Sequence, residues 1–152
     1  MSEIERKWIV AELPRGLPDG EPIRQGYVAL DGDVEVRIRD RAGSYSLTVK
    51  RGSGLEREEI EIDLDRDTFD ALWPIAERRS IDKDRHVVEV GTHFAEVDVY
   101  RGRHGSLCAV EVEFTSTDEA DAFEPASWFG PEVTDDDRWS NRVLAVDGLP
   151  AG

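Results

Sequence analysis

The chain has 152 residues, 39% of them hydrophobic and 35% charged, with 34 acidic against 19 basic side chains and a net charge of −15. That length supports one domain with a sizeable core, and the acidic balance argues against a general nucleic-acid binder, whose surface must be basic to meet a phosphate backbone. A single cysteine, Cys108, excludes an internal disulfide, no apolar run reaches membrane-spanning length, and no apolar leader follows Met1, so a cytoplasmic protein with no membrane partner is expected.

Short strands with turn signals between them then follow in order. The first is Glu3-Ile4-Glu5-Arg6-Lys7-Trp8, and a Pro/Gly-rich connection over Pro14–Pro22 separates it from a second strand, Ile23–Leu30, closed by Asp31-Gly32-Asp33. Val34–Arg41 and Tyr45–Arg51 read as a hairpin around Ala42-Gly43-Ser44. A loop at Gly52-Ser53-Gly54 leads to a fifth strand, Arg57–Leu64. The period then changes: Phe69, Leu72, Trp73 and Ala76 fall at helical spacing, predicting a helix over Asp67–Arg79 with Asp65 or Asp67 as N-cap. Ser80–Val90, His93–Tyr100 and Leu107–Thr115 supply strands six to eight. Ser116 or Thr117 opens a short acidic helix, Asp118–Phe123, and Asp135–Val146 reads as a final helix. No internal repeat or boundary interrupts the chain, so 1–152 reads as one domain.

Strand side chains alternate between faces, and here the alternation sorts charge from apolar bulk. Glu3, Glu5 and Lys7 share one face of the first strand. Glu35, Arg37 and Arg39 oppose Val34, Val36 and Ile38; Lys50 opposes Leu47 and Val49; Arg57, Glu59 and Glu61 oppose Ile60, Ile62 and Leu64. Lys83 and Arg85 fall together, as do Glu96 and Asp98 against Ala95, Val97 and Val99, and Glu111 and Glu113 against Val110, Val112 and Phe114. Only the second strand, through Arg24-Gln25-Gly26-Tyr27, gives no clear alternation.

A one-sided antiparallel sheet with its charged face in water is the simple account of any one of these strands. For the set it fails. Charges of both signs cluster in same-face groups, the predicted helices are too few to cover an open eight-stranded sheet, and a closed barrel removes the edges while turning one face to a lumen. Inside such a lumen, unit charges about 4 Å apart interact by roughly 4 kcal/mol at an effective dielectric of about 20. Like-charge repulsion of that size needs countercharge: a divalent cation for the acids and a polyanion for the bases. Triphosphate with Mg²⁺ or Mn²⁺ meets both needs.

Glu3-Ile4-Glu5-Arg6-Lys7 resembles the ExExK signature of the CYTH family, the triphosphate tunnel metalloenzymes. Further segments resemble the family in order: Gln25-Gly26-Tyr27, Val36-Arg37-Ile38-Arg39, Leu47-Thr48-Val49-Lys50, Arg57 with Glu59-Ile60-Glu61, and Ile81-Asp82-Lys83-Asp84-Arg85. Glu96-Val97-Asp98-Val99-Tyr100, Glu111-Val112-Glu113-Phe114, and Val133-Thr134 through Ser140-Asn141 to Leu144-Ala145 complete the series. The resemblance implies a mainly β (α+β) fold, an eight-stranded antiparallel barrel forming a tunnel, and hydrolysis of triphosphate to diphosphate and phosphate. It implies Glu3, Glu5, Asp98, Glu111 and Glu113 as ligands of Mg²⁺ or Mn²⁺. Lys7, Arg37, Arg39, Lys50, Arg57, Lys83 and Arg85 would bind phosphoryl oxygens, and Glu5, Lys7, Glu59 and Glu61 would act in catalysis, with water attacking the terminal phosphorus. Where small bacterial members carry Tyr, this chain has His86 and Trp139, which predicts altered packing near a tunnel mouth with the chemistry kept.

Other chemistry is thin. There is no G-x-S-x-G elbow or Walker loop, and His86, His93 and His104 lack metal-ligand spacing. The same tunnel also suits a class IV adenylate cyclase or a thiamine or nucleoside triphosphatase. A polyphosphate or nucleotide binder without turnover is the rival outside enzymology. Monomer and homodimer are both compatible with the sequence.

Overall fold

In the computed structural model, which describes residues 2–52 and 55–151, the strands close on themselves in the order β1-β5-β4-β3-β2-β6-β7-β8, every neighbouring pair antiparallel. They are β1 (Ser2–Ile9), β2 (Glu21–Asp31), β3 (Val34–Arg41), β4 (Ser44–Arg51), β5 (Glu56–Leu64), β6 (Ser80–Val90), β7 (His93–Tyr100) and β8 (Cys108–Phe114). The barrel therefore follows the alternation of charge in the sequence. Hairpin turns fix the register: Arg41 pairs Ser44 across Ala42-Gly43, both at positive φ, the backbone a two-residue turn needs to match strand twist. Part of the loop expected at Gly52-Ser53-Gly54 falls outside the described residues.

The apolar faces turn outward and are covered on two sides, whereas Ile60 and Ile62 of β5 stay exposed. Helix α1 (Arg66–Ala76), capped by the Asp65 side chain accepting from Thr68 N, lays Phe69 and Ala76 over Ile38, Tyr45 and Leu47. It sits so close to β2 that a Cβ on Gly26 would lie 2.7 Å from the Ala76 carbonyl oxygen, which explains the residue that blurred the pattern of that strand. On the opposite wall Trp8, Val97, Val110, Val112 and Phe114 pack under α2 (Thr117–Ala122), Phe123 and Phe129. Among the described residues no helix is long and apolar enough to cross a membrane.

Sequence reading and structure part company at three places. The helix expected to reach Arg79 ends at Ala76 and continues as a 3-10 turn, Glu77–Arg79, with Pro74 inside its last turn. The second strand does alternate: Ile23, Gln25 and Tyr27 face inward, opposite Lys83, Arg39 and Arg37, before a bulge between Tyr27 and Ala29 resets the register. The final helix is not continuous over Asp135–Val146. A 3-10 turn, Asp137–Trp139, stops at Ser140, whose extended backbone (φ −66°, ψ 149°) starts α3 (Asn141–Asp147), and whose hydroxyl caps it by accepting from Val143 N. That break frees the Trp139 carbonyl, which matters below.

The segment carrying α3 returns to the barrel end where β1 finishes, Val133 N donating to Lys7 O at 2.8 Å. Here the inner face changes character. Tyr27, Ile81, Tyr100 and Ala109 form an apolar plug with Leu144 and Ala145 of α3, so that part of this end is roofed and the charged lumen lies beyond it.

Candidate active site

The lumen is a charged cavity of about 710 Å³. Strand register decides which charges meet. Glu5 stands directly opposite Glu113, and Glu96 opposite Glu111, so β1, β8 and β7 make one acidic wall. Like charges in such positions destabilise a sheet unless something neutralises them. Across the lumen, Arg37 is flanked by Tyr27 and Thr48, and Arg39 by Gln25 and Ser46. Those neighbours are neutral, and among the described residues neither arginine forms an ion pair with a carboxylate.

Part of the acidic load is balanced internally. Lys50 Nζ lies 2.8 Å from Glu3 and 3.7 Å from Glu59. Arg57 reaches Glu5 at 3.4 Å, Glu35 at 3.6 Å and Glu3 at 3.7 Å. Lys7 Nζ sits 3.5 Å from Glu111 and donates to the Trp139 carbonyl oxygen at 2.7 Å. The acids nevertheless outnumber what these cations cover. Burial, then the charge of Glu111, pushes the Glu5 carboxyl up to about 8, and burial raises Glu3 and Glu113 as well. Glu111 goes the other way: burial would raise it, but Lys7, Lys83 and Arg85 together bring it well below the usual range. Glu3 and Glu59 approach closely enough to share a proton, as do Glu5 and Glu111. Such pairs are short of positive charge.

The basic wall is crowded in the opposite sense. Burial, Arg37 and Arg85 lower Arg39 to about 9, even though its Nε donates to Gln25 Oε1 at 2.9 Å. Among the described residues the buried Nε of Arg37 has no hydrogen-bond partner. Two planar guanidiniums on one strand face, one underbonded and one destabilised as a cation, make a site for a multiply charged oxyanion.

Of the residues expected from sequence, Glu3, Glu5, Lys7, Arg37, Arg39, Lys50, Arg57, Glu59, Glu61, Arg85, Glu111 and Glu113 all border the cavity. Lys83 and Asp98 face inward but do not border the cavity; 0% and 1% exposed, they are buried between Arg85 and the Tyr100 plug. Asp98 holds Arg85 through a bidentate pair at 2.8 and 3.0 Å, with Lys83 Nζ 2.7 Å away. Burial lowers Lys83 to about 7; burial would raise Asp98, but its two cations bring it to about 2. Both oxygens of Asp98 are therefore engaged by protein cations. Sequence reasoning left Glu35 and Glu96 out of the site, although their strand parity places them with Arg37 and Asp98. Thr134, Asn141 and Arg142 of the roof also border the cavity and carried no strand signal. His86, in contrast, stands outside this set and clamps the preceding loop, its Nδ1 2.7 Å from Pro18 O. Among the described residues no three His, Cys, Asp or Glu side chains converge as a ready coordination shell. The acids come in pairs.

Comparison with known proteins agrees with this architecture. The CYTH domain model matches residues 1–128. An inorganic triphosphatase of Nitrosomonas europaea is 44% identical over 149 residues, spanning 96% of this chain and 98% of that protein. An inorganic triphosphatase of Acetivibrio thermocellus is 34% identical over 145 residues, spanning 93% and 92%. A crystal structure of an inorganic triphosphatase superposes with a TM-score of 0.72 at 40% identity, covering 97% of each chain.

Proposed function

The chain belongs to the CYTH domain family, and from that premise we propose that it hydrolyses inorganic triphosphate to diphosphate and phosphate inside the barrel. The observation that carries the reading is the separation of Arg37 and Arg39, without carboxylate partners, from the carboxylate pairs on the β1-β8-β7 wall of the same cavity. Arg37 and Arg39 bind phosphoryl oxygens, and Arg85 is held toward them by Asp98. Lys50 and Arg57 exchange a carboxylate for a phosphoryl oxygen when substrate enters. Lys7, placed where the roof meets the barrel, stabilises charge on the departing diphosphate; its ammonium is oriented by Glu111 and the Trp139 carbonyl. Phosphoryl transfer asks for positioning and charge neutralisation more than for covalent chemistry, and these side chains supply both.

Mg²⁺ or Mn²⁺ fits the acidic side. Such an ion is commonly held by one or two carboxylates plus substrate phosphates, and needs no complete protein shell. Glu5 with Glu113 or Glu111, and Glu3 with Glu59, would hold it; bound there, it would neutralise phosphoryl oxygens and lower the cost of ionising those carboxyls. Phosphate release from triphosphate, ATP and thiamine triphosphate, each with Mg²⁺ and with Mn²⁺, tests the reading. Orthophosphate released fastest from triphosphate is expected. Diphosphate with a cyclic nucleotide from ATP, or tight binding of triphosphate without turnover, would overturn it.

A further inference from the structure

Gln25 is sealed inside the barrel between two strands, opposite Arg39 of β3 on one side and Ile81 of β6 on the other. Its Oε1 accepts from Arg39 Nε at 2.9 Å. A guanidinium only donates, so the amide oxygen must face it and Nε2 is turned elsewhere. Among the described residues that buried Nε2 has no hydrogen-bond partner. A buried donor without an acceptor carries its full desolvation penalty. Glutamate has the same shape and would remove that penalty, since it has no N–H. Its charge would also meet a guanidinium that burial, Arg37 and Arg85 already destabilise as a cation. For stability alone, a carboxylate would serve better at position 25. The amide has one property that the carboxylate lacks: it fixes the plane of Arg39 and leaves the positive charge whole.

We propose that Gln25 is a positioning residue for the polyanion site: it holds Arg39 at the lumen through a neutral acceptor, so that the guanidinium keeps its full charge for phosphoryl oxygens. This rests on the triphosphatase reading, in which Arg39 binds substrate. Among the described residues Nε is the only nitrogen of Arg39 that donates to a side chain, so both Nη groups remain for a ligand. Arg85, on the same cavity, is held in the opposite way. It gives Nε and Nη2 to Asp98 and Nη1 to Glu96, and its charge is answered within the protein. One arginine is anchored by an acid and the other by an amide. Only the second is oriented without being neutralised, which is the form of preorganisation that an incoming polyanion rewards.

The test compares wild type, Gln25→Glu and Gln25→Met, each alone and with Arg39→Ala. Three readouts are used: steady-state hydrolysis of triphosphate, calorimetric binding of triphosphate with divalent cations removed, and the urea midpoint of the unliganded protein. Neutralising Arg39 in Gln25→Glu predicts a KM higher by roughly tenfold to a hundredfold, with kcat changed less than KM and metal-free affinity weakened in parallel. Its urea midpoint should hold or rise, so stability and affinity move in opposite directions. Gln25→Met, which frees the guanidinium without neutralising it, should raise KM by about threefold to tenfold. Because Gln25 acts through Arg39, Gln25→Glu should add less than about twofold once Arg39 is Ala. Unaltered KM and affinity in Gln25→Glu, or an effect of full size in the Arg39→Ala background, would overturn the proposal. So would lower midpoints in both variants with KM unchanged, the signature of a purely structural glutamine. If wild type binds triphosphate but does not hydrolyse it, the activity assignment falls, whereas the binding arm still decides the role of Gln25.

Discussion

Titration of Glu5 couples cation binding to pH, and the size of that coupling follows from its surroundings. In the folded chain its carboxyl is raised from 4.5 to about 8 by burial and by Glu111. Between those values the native state keeps a proton that the unfolded chain has released. Stability of the cation-free protein therefore falls as pH rises from about 4.5 to about 8, and is unaffected by this group below that window. A divalent ion on the acidic wall must displace the proton, so its affinity rises over the same range. At pH 6, two units below the folded value, the ionised form is about one part in a hundred, so binding should be about a hundredfold weaker than its plateau, or about 3 kcal/mol. Glu3 and Glu113, raised as well, steepen the slope. Calorimetric titration with Mn²⁺ in two buffers of different ionisation enthalpy reads both quantities: about one proton released per ion near pH 6.5, and close to none above pH 9. The variant Glu5→Gln should lose turnover, keep its circular dichroism, and show a flatter pH dependence. An affinity for Mn²⁺ that is constant from pH 6 to 8.5, with no proton released, would refute this reasoning.

Other substitutions probe the basic wall, the buried cluster beside it and the seat of α1. Arg37→Ala removes a guanidinium with no internal partner; KM for triphosphate should rise by roughly tenfold or more while the unfolding midpoint holds, since no ion pair is broken. Asp98→Asn strips two buried cations of their carboxylate and should destabilise the fold by about 3–5 kcal/mol, read as a lower urea midpoint; a loss below about 1 kcal/mol would mean that Lys83 sheds its proton at little cost. Gly26→Ala places a Cβ 2.7 Å from the Ala76 carbonyl oxygen and should cost about 1–3 kcal/mol, with α1 displaced and triphosphate hydrolysis little changed.

The parts legible in the sequence were those governed by strand parity. Arg37 and Arg39, Glu111 and Glu113, and Glu3 with Glu5 alternate against apolar neighbours, so their common inward face followed from a period of two. Parity is silent on depth, however. Lys83 and Asp98 share the inward face with Arg85 and Glu96, yet do not border the cavity, because plug residues close the lumen near them and bidentate pairing draws Asp98 onto Arg85. Parity also reads poorly where packing overrides it. Gly26 breaks the second strand's pattern because α1 presses on it, and Ile81 is apolar and inward because it supports α3, while Tyr27 both packs in that plug and borders the cavity. The roof was out of reach for another reason. Asp135–Val146 has helical composition throughout, and only the Ser140 hydroxyl, free to cap either a turn or a helix, marks the break that brings Trp139 to Lys7 and Arg142 to the cavity.

Buried ion pairs such as Lys50 with Glu3 contribute little net stability, since removing two charges from water offsets most of their attraction. Their abundance in this lumen calls for a different cause, and exchange supplies one. A cation that leaves a carboxylate for a phosphoryl oxygen loses nothing, provided that the carboxylate gains a metal ion in return; the ammonium and guanidinium groups then need no rehydration at any stage. Register sets the balance point of that exchange. Lys50 pairs across strands with Glu59 and Glu35, so it is committed until substrate arrives, whereas Arg37 and Arg39 pair with neutral residues and stand ready. Uncommitted arginines attract the polyanion, committed lysines keep the empty barrel from repelling itself apart, and both arrangements are written in which residue type occupies each cross-strand position. A barrel with Glu or Asp opposite Arg37 and Arg39 would be better balanced when empty, and a weaker ligand for triphosphate for that reason.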